Sequence, residues 1–410
     1  MTGDAVWRQR WERTAFYLTC GSVVGVFVSI AVCHILLALS VITLLVSGAK
    51  LRLPPVKLPL AAFAALTIVS LALAADPAAG RPQIRKFFVF LVLLTVSSVV
   101  GKLIAVRGVV MAWIGVAAIS AVWSLVQFWQ RIEQARQLGV SFYDYYIGQR
   151  ITGFMSHWMT YSGQMMIALL LVAAFLFFSP AKRRYWWMGL ACAVPIAAGL
   201  VLAFTRSMWV ATAAAGLYLI WCWKRWLVLA VPVVVLAGLL VSPVWVRARA
   251  TSMLYPKQDT DSNQHRIVCW RTGWEMIKAH PWFGVGPEHV GIEFERYLPG
   301  DIPRPLPTGW YGHLHNTYLH YAAERGVPAL LALLAMFAKV LFDFLRRLRK
   351  LPRGASDARF LLHGGVAVVL ATLVGGFFEL NLGDSEILFL FLATLALVYN
   401  VDGSEATAAP

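Results

Sequence analysis

The stretch LTCGSVVGVFVSIAVCHILLALSVITLLVS, residues 18–47, is apolar almost throughout and decides the fold class of this chain. One helix over this stretch would be about 45 Å long at ~1.5 Å per residue, whereas the hydrocarbon core of a bilayer is about 30 Å thick. Two shorter membrane helices that break near His34 fit that thickness better. The run is also too long for the apolar part of a cleaved signal peptide, so we expect it to be retained as an anchor.

Comparable apolar runs recur along the whole chain. Of its 410 residues, 59% are hydrophobic and 14% are charged, whereas a soluble domain carries about 25% charged residues. This pattern predicts an all-α polytopic membrane protein. Twelve transmembrane helices are predicted, at residues 15–31, 34–48, 58–75, 86–101, 108–129, 158–179, 186–204, 207–223, 226–243, 316–345, 360–379 and 385–401.

The net charge of +16 comes mainly from basic residues in the short loops between these segments. With twelve spans, every dense basic cluster falls on one face of the membrane, which is the positive-inside pattern, and both termini are predicted to be cytoplasmic. The clusters lie at residues 8–13, 50–57, 102–107, 182–184, 224–225 and 346–353. Cations in such loops set the topology and contact lipid headgroups, so this charge does not indicate a nucleic-acid partner.

Two long segments lie on the opposite face, at residues 130–157 and 243–315. The second is long enough to form a small domain, and its apolar spacing predicts a helix at residues 266–280 that ends at His280-Pro281. The predicted organisation is therefore nine transmembrane helices in residues 1–243, a loop domain at 244–315, three further transmembrane helices in 316–401 and a cytoplasmic tail at 402–410.

A polar cluster, HLHNTYLH at residues 313–320, stands where the chain turns apolar again. An imidazole takes a proton from a hydroxyl at neutral pH, so His315 is a candidate general base. Asn316 beside it is a candidate to orient a sugar or to fix the imidazole tautomer, and His313 and His320 are weaker candidates. The alternative for His315 is that it only caps the helix that follows.

Arginines on the same face are candidates to bind phosphate, because a guanidinium pairs with phosphate through two hydrogen bonds. Arg206 lies in a very short turn between two spans, and Arg266 begins the predicted loop helix. Arg81, Arg85 and Lys86 cluster where the fourth span begins. Anchoring in lipid headgroups is the alternative for each of these cations.

Weaker patterns complete the set of candidates. Arg150 begins a polar stretch, residues 150–157, and further polar residues lie at 379–386. Both stretches could line a substrate groove or pair with the arginines, and the alternative is that they are solvated loop residues. The Asp259-Thr260-Asp261 motif has ordinary turn composition and is assigned to a solvated loop. The five cysteines form no CxxC pair, and the histidines lack a carboxylate or thiolate partner at recognisable spacing, so neither a disulfide nor a metal site is predicted.

These residues resemble the O-antigen ligase and Wzy polymerase superfamily. His315-Asn316, followed after nine residues by Gly326, resembles its His-[Asn/Ser/Gln]-x9-Gly signature. Three further stretches are similar to its upstream arginine-to-glycine segment, its outer turn and its entry to a middle span: Arg266 to Gly286-Pro287, Thr205-Arg206-Ser207 and Arg150-Ile151-Thr152-Gly153. The motifs occur in the expected order over residues 150–330.

The resemblance implies a GT-C-like, lipid-dependent glycosyltransferase of the bacterial inner membrane, with its loop domain and active site in the periplasm. The donor would be a glycan on undecaprenyl diphosphate, and the acceptor lipid A–core oligosaccharide, another lipid-linked glycan or a protein hydroxyl. Transfer would need neither metal nor cofactor and would invert the anomeric centre. His315 would be the base, and Arg206 and Arg266 would neutralise the diphosphate. The remaining candidates for substrate binding are Lys86, Arg85, Arg81, Asn316, His313 and Arg150.

An O-antigen ligase is the preferred interpretation within that superfamily. The chain length and the single large loop suit a ligase, whereas many polymerases carry two sizeable periplasmic loops and the protein-transferring branch has a larger C-terminal region. A transporter of lipid-linked glycans is the alternative from another class. It would place charged or helix-breaking residues near mid-span in two halves, whereas the ionisable residues here lie at span ends on one face.

Overall fold

A computed structural model describes residues 3–253 and 262–401. These residues are mostly helical and contain no β-strand. The Asp259-Thr260-Asp261 motif and the predicted tail at 402–410 lie outside them. The α-helices are α1 (Gly3–Gly25), α2 (Ile30–Ser47), α3 (Lys57–Leu73), α4 (Pro77–Arg85), α5 (Leu91–Val99), α6 (Leu103–Gln137), α7 (Phe142–Gly148), α8 (Trp158–Phe178), α9 (Lys182–Leu202), α10 (Arg206–Lys224), α11 (Val231–Val241), α12 (Val244–Thr251), α13 (Ser262–Ala279), α14 (His289–Ile292), α15 (Thr317–Arg325), α16 (Val327–Lys350), α17 (Asp357–Gly376) and α18 (Ser385–Tyr399). Short 3-10 helices cover Lys86–Phe90, Arg225–Ala230, Phe294–Tyr297 and Asn381–Gly383.

Eight helical runs within the described residues are long and apolar enough to cross a membrane, and α3 and α18 are apolar but shorter. The prediction of an all-α polytopic membrane protein is therefore confirmed. Each of the twelve predicted segments overlaps a helix. One of the eight runs, Arg206–Val241, contains two of those segments, so the number of spans stays a prediction.

Two predicted helix boundaries were wrong. The first break lies upstream of His34, because α1 ends at Gly25 and Ser29 caps α2 by accepting a hydrogen bond from the backbone of Val32. The predicted tenth span at 316–345 is two helices, α15 and α16. They meet at Gly326, whose φ of +86° turns the chain, and α16 starts with a proline in its first turn.

The predicted loop helix at 266–280 is observed as α13, which begins four residues earlier. The predicted loop at 130–157 begins as helix, because α6 continues through to Gln137. Helical propensity persists beyond an apolar run when the flanking residues are good helix formers, as they are in the sequence QRIEQARQ.

The centre of the bundle is formed by α8, α17 and α18. Their side chains are buried on nearly all sides, as expected of helices that are apolar all round. By contrast, α11 buries no side chain in the described protein and exposes valine and leucine on every side. The interior helices therefore pack against protein, while α11 has the composition of a helix that faces lipid.

A second, smaller core lies at one end of the bundle. Buried side chains of α13 pack there against residues 285–302 and against the chain from Leu314 to Ala323. The members are Val268, Cys269, Met276, Ile277, Val285, Val290, Phe294, Ile302, Leu314, Ala322 and Ala323. This core fixes the loop that carries His315 relative to α13, which carries Arg266.

Two glycines make that packing possible. The backbone of Val285 donates to the Ala323 carbonyl at 2.9 Å, and Val327 donates to the Pro281 carbonyl at 2.8 Å, so residues 281–286 and 323–327 are paired through their main chains. A Cβ on Gly326 would lie 2.1 Å from the Trp282 carbonyl oxygen, and one on Gly284 would lie 2.3 Å from the backbone of Glu324. The signature glycine Gly326 therefore serves a close backbone approach.

Gly326→Ala should destabilise the protein by at least ~2 kcal/mol, because it adds a clash with main-chain atoms to a left-handed backbone. The measurement is the thermal unfolding midpoint in detergent. Gly216→Ala is the matched control, since a Cβ there meets nothing within 4 Å. Equal midpoints for the two variants would contradict the close-approach role.

Candidate active site

Three segments distant in sequence meet beside the smaller core. The loop before α15 carries His315, the connection between α17 and α18 carries Glu379, and α13 carries Arg266. The Glu379 carboxylate contacts both of the other side chains. One oxygen accepts from the Arg266 guanidinium in a short ion pair, and the other lies 3.3 Å from His315 Nδ1. Glu379 is 4% exposed at its side chain, so water screens this arrangement little.

The contact with Glu379 sets the tautomer of His315. A carboxylate held by an arginine only accepts hydrogen bonds, so the proton of the neutral ring lies on Nδ1 and the lone pair on Nε2. His315 Nε2 is buried and has no hydrogen-bond partner among the described residues. The backbone of His315 has φ +48°, a left-handed conformation that the smaller core holds in place. The imidazole is thus oriented with its basic nitrogen unoccupied.

Two other imidazoles surround His315. The ring of His313 lies 4.0 Å from it and that of His265 5.0 Å, between ring centroids. Burial and the neighbouring His315 lower the pKa of His313 to about 2 and that of His265 to about 4. Both rings therefore stay neutral at neutral pH, and His313 is a weak base. Because His315 Nε2 is buried, an acceptor hydroxyl reaches it only if neighbouring side chains move.

Arg206 and Arg266 line the same cavity, which encloses about 880 Å³ of space open to the surface. Its other walls are mainly apolar and include Ile267, Trp270 and Phe378. Arg206, the first residue of α10, donates to the Ser252 carbonyl at 2.8 Å and to Asn263 Oδ1 at 3.0 Å. The structure therefore brings the two arginines that the sequence singled out to one cavity, and each is held by contacts with the protein.

A second cleft, of about 960 Å³, lies on the other side of Glu379. Its cations are Lys86, which donates to the Gly383 carbonyl at 3.0 Å, and Arg325, which donates to Gln83 Oε1 at 3.0 Å and pairs with Glu324. His313 and His320 also line it. The cleft continues into an apolar cavity of about 570 Å³ between α3, α16 and α18, whose walls include Phe63, Phe90, Leu333, Met336 and Phe391. A charged rim above an apolar slot suits an amphiphile.

The side chain of Asn316 forms hydrogen bonds with the protein. Its Oδ1 caps α15 by accepting from the backbone of Tyr318 and Leu319, and its Nδ2 donates to the Phe377 carbonyl at 3.0 Å. The structure gives it no contact with the His315 ring. The partner of the His315 ring is Glu379 instead. A role for Asn316 in orienting a sugar stays a prediction.

Three predicted binding residues line neither cavity. Arg81 and Arg85 are exposed on α4, and Arg150 stacks on Trp158 at 4.9 Å and donates to the Ile147 carbonyl. Burial, with Arg249 as the next cause, lowers the pKa of Arg150 to about 9. Substrate contacts by these three side chains stay predictions.

For several residues of the site, the sequence predicted no specific function. The sequence predicted Glu379 to line a groove or to pair with the arginines, and its pairing with Arg266 is observed. Arg325 and Gln83 were not considered as ligands. An acid in the apolar stretch 377–382 was the available signal for Glu379, because an unpaired buried carboxylate is costly. In the part of the chain that the structure describes, no group of three His, Cys, Asp or Glu side chains is placed to hold a metal ion.

The fold and the site together define a multi-pass helical membrane protein with a histidine–glutamate–arginine arrangement at one end of its bundle. A family model described as O-Antigen ligase matches residues 191–334, which include Arg206, α13, His315 and Gly326. Over these residues the chain is similar to the O-antigen ligase family, which confirms the resemblance of the motifs that lie within them, from Thr205 to Gly326. No curated protein matches the sequence.

Proposed function

We propose that this protein is an O-antigen ligase of the bacterial inner membrane. It transfers O-antigen polysaccharide from undecaprenyl diphosphate to lipid A–core oligosaccharide on the periplasmic face, without a metal ion and with inversion at the anomeric carbon. The proposal includes twelve spans in a GT-C-like arrangement, cytoplasmic termini and a periplasmic loop domain at 244–315. The observation that carries it is His315 held by Glu379, which is itself paired with Arg266 beside Arg206.

In the proposed reaction, the diphosphate of the donor lies in the cavity of Arg206 and Arg266. The acceptor hydroxyl attacks the anomeric carbon, a new C–O bond forms, and the bond from that carbon to the diphosphate oxygen breaks. The hydroxyl proton goes to His315 Nε2, and Glu379 stabilises the imidazolium. The electron pair of the broken bond leaves on the diphosphate, whose charge the two guanidinium groups neutralise. The cleft of Lys86 and Arg325, on the opposite side of Glu379, takes the acceptor.

The acceptor side distinguishes the members of the superfamily. A charged rim over an apolar slot supports a lipid-anchored anionic acceptor, as lipid A–core is, over a protein hydroxyl. An O-antigen polymerase, whose acceptor is another lipid-linked glycan, and a protein O-oligosaccharyltransferase are the alternatives within the superfamily. A transporter of lipid-linked glycans is the non-enzyme alternative. A transport function would not require His315 and Glu379 to be paired at the end of the bundle.

The test is transfer by the purified protein in liposomes that contain undecaprenyl-linked glycan. Separate reactions contain lipid A–core, unmodified lipid-linked glycan or an acceptor protein. A glycosylated lipid A–core product supports the ligase. Products only with the second or the third acceptor would assign the protein to the corresponding alternative, and movement of the donor across the bilayer without any product would favour the transporter.

Glu379→Gln should lower kcat about 10–100-fold and change KM little, because the amide keeps the shape of the side chain but does not stabilise an imidazolium. The measurement is initial-rate kinetics of the liposome reaction. Glu295→Gln is the matched control, since Glu295 forms an exposed ion pair with Arg304 on the same outer segment. A wild-type kcat for Glu379→Gln would remove Glu379 from the mechanism.

A further inference from the structure

A basic groove lies at the end of the bundle opposite His315. Asp384, at the start of α18, lines the cleft beside Glu379. Asn400, just after the end of α18, donates to the carbonyls of Val96 and Val100 at 3.0 Å. Asp384 and Asn400 are sixteen residues apart across this helix, a rise of about 24 Å, so the chain around Val100 lies far from the candidate active site. The groove next to it has no role in the proposed transfer.

Three separate segments build this groove. Its cations are Arg13 from α1, Lys50 and Arg52 from the connection between α2 and α3, and Lys102 from the connection between α5 and α6. The groove is the largest of the cavities described here, at about 1510 Å³. One acid, Glu12, also lines it. None of the four cations forms an ion pair or a side-chain hydrogen bond within the described residues, and four cations against one acid leave the groove basic.

The groove is held in shape by the protein. Ser98, at the end of α5, accepts a hydrogen bond from the backbone of Arg52 at 2.9 Å. A few residues further on, Val56 is fully buried. The connection that carries Lys50 and Arg52 is therefore held to α5 by that hydrogen bond and anchored in the main core at Val56. Fixed cations bind an anion with a smaller loss of conformational entropy than mobile ones.

Apolar side chains lie among the cations. Phe16, Tyr17, Val99 and Ile104 line the groove. Leu51 and Leu53 alternate with Lys50 and Arg52 and are about half exposed. A soluble phosphate uses none of this apolar surface, whereas a phospholipid places its phosphate on cations and its acyl chains beside apolar side chains.

We infer that this groove is a binding site for the headgroup of an anionic phospholipid, on the face that the basic loops predict to be cytoplasmic. Two phosphates of one lipid or two lipids satisfy the four cations. The site is independent of the transfer reaction, so it stands or falls separately from the ligase proposal.

The experiment measures lipid binding by the full-length protein in neutral detergent. Phosphatidylglycerol and cardiolipin are titrated, and bound lipid is counted by native mass spectrometry. A variant with Arg13, Lys50, Arg52 and Lys102 all replaced by glutamine should bind at least ~10-fold more weakly, since each cation near a lipid phosphate contributes to the affinity. Each single substitution should give a partial loss, so the result does not depend on the folding of the fourfold variant.

The matched control replaces four exposed cations at the end of α16 by glutamine, namely Arg346, Arg349, Lys350 and Arg353. They lie at the same end of the bundle, because their neighbour Arg347 donates to the Tyr399 carbonyl at the end of α18. The control should bind within about twofold of wild type. Three results would overturn the inference. The first is an equal loss of anionic-lipid binding in both variants, and the second is binding of phosphatidylcholine by the wild-type protein as strong as that of the anionic lipids. The third is displacement of the bound lipid by pyrophosphate at the same concentration as the lipid.

Discussion

Replacing His315 by asparagine should lower the rate of glycan transfer by about 10²–10⁴-fold, the usual contribution of a general base. Asparagine is chosen because, like histidine, it tolerates the left-handed backbone at φ +48°. The thermal unfolding midpoint should therefore change little, while the nitrogen that takes the proton is lost. The rate is measured in liposomes with saturating lipid A–core acceptor.

His280→Asn is the matched control for this substitution. His280 is an exposed histidine between α13 and α15, as His315 is, and is hydrogen-bonded to the Tyr297 hydroxyl. Its replacement should leave transfer within about twofold of wild type. Turnover by the His315 variant at the wild-type rate, with the protein folded, would show that the proton of the acceptor goes elsewhere.

The sequence was sufficient for the class of fold and for part of the site. Apolar runs near twenty residues report directly on the bilayer, since only helices satisfy their backbone polar groups there. For that reason each predicted segment overlaps a helix. Exact breaks depend on local geometry instead. The break at Gly326 follows from a backbone contact with Trp282, more than forty residues away in the chain, and an apolar pattern carries no information on such a contact.

For the same reason, the sequence could not identify Glu379 as the partner of His315. Glu379 is 64 residues from His315 and 113 from Arg266, so the contact depends on tertiary packing.

The cluster at 81–86 shows that the sequence identified a basic segment but not the face of it that lines the cleft. Gln83 and Lys86 are three residues apart, share a helical face and line the cleft, whereas Arg81 and Arg85 are four apart and lie on an exposed face. The sequence identified the cluster, but only the packed structure shows which face points inward.

Arg206→Ala should lower kcat by about 10²–10³-fold, the cost of removing one donor that stabilises developing negative charge. Arg206→Lys should restore part of this loss, because a lysine keeps the charge but not the two-pronged hydrogen bonding. Arg271→Ala is the matched control, since Arg271 lies on α13 and pairs with the exposed Asp301. If Arg206→Ala and Arg271→Ala turn over equally, Arg206 does not bind the leaving group.

Arg266→Ala should reduce kcat and stability by more than Arg206→Ala does, because Arg266 also pairs with Glu379. Its removal leaves the buried carboxylate of Glu379 without a cation, and an isolated buried charge is destabilising by about 3–5 kcal/mol. The unfolding midpoint should therefore fall further for Arg266→Ala than for Arg206→Ala, which removes hydrogen bonds but leaves no buried charge unpaired. In a Glu379→Gln background that stability loss should largely vanish, while the loss in kcat from the missing guanidinium should persist. Additive stability losses would mean that the Arg266–Glu379 pair does not hold His315, and the role of Arg266 would then reduce to that of Arg206.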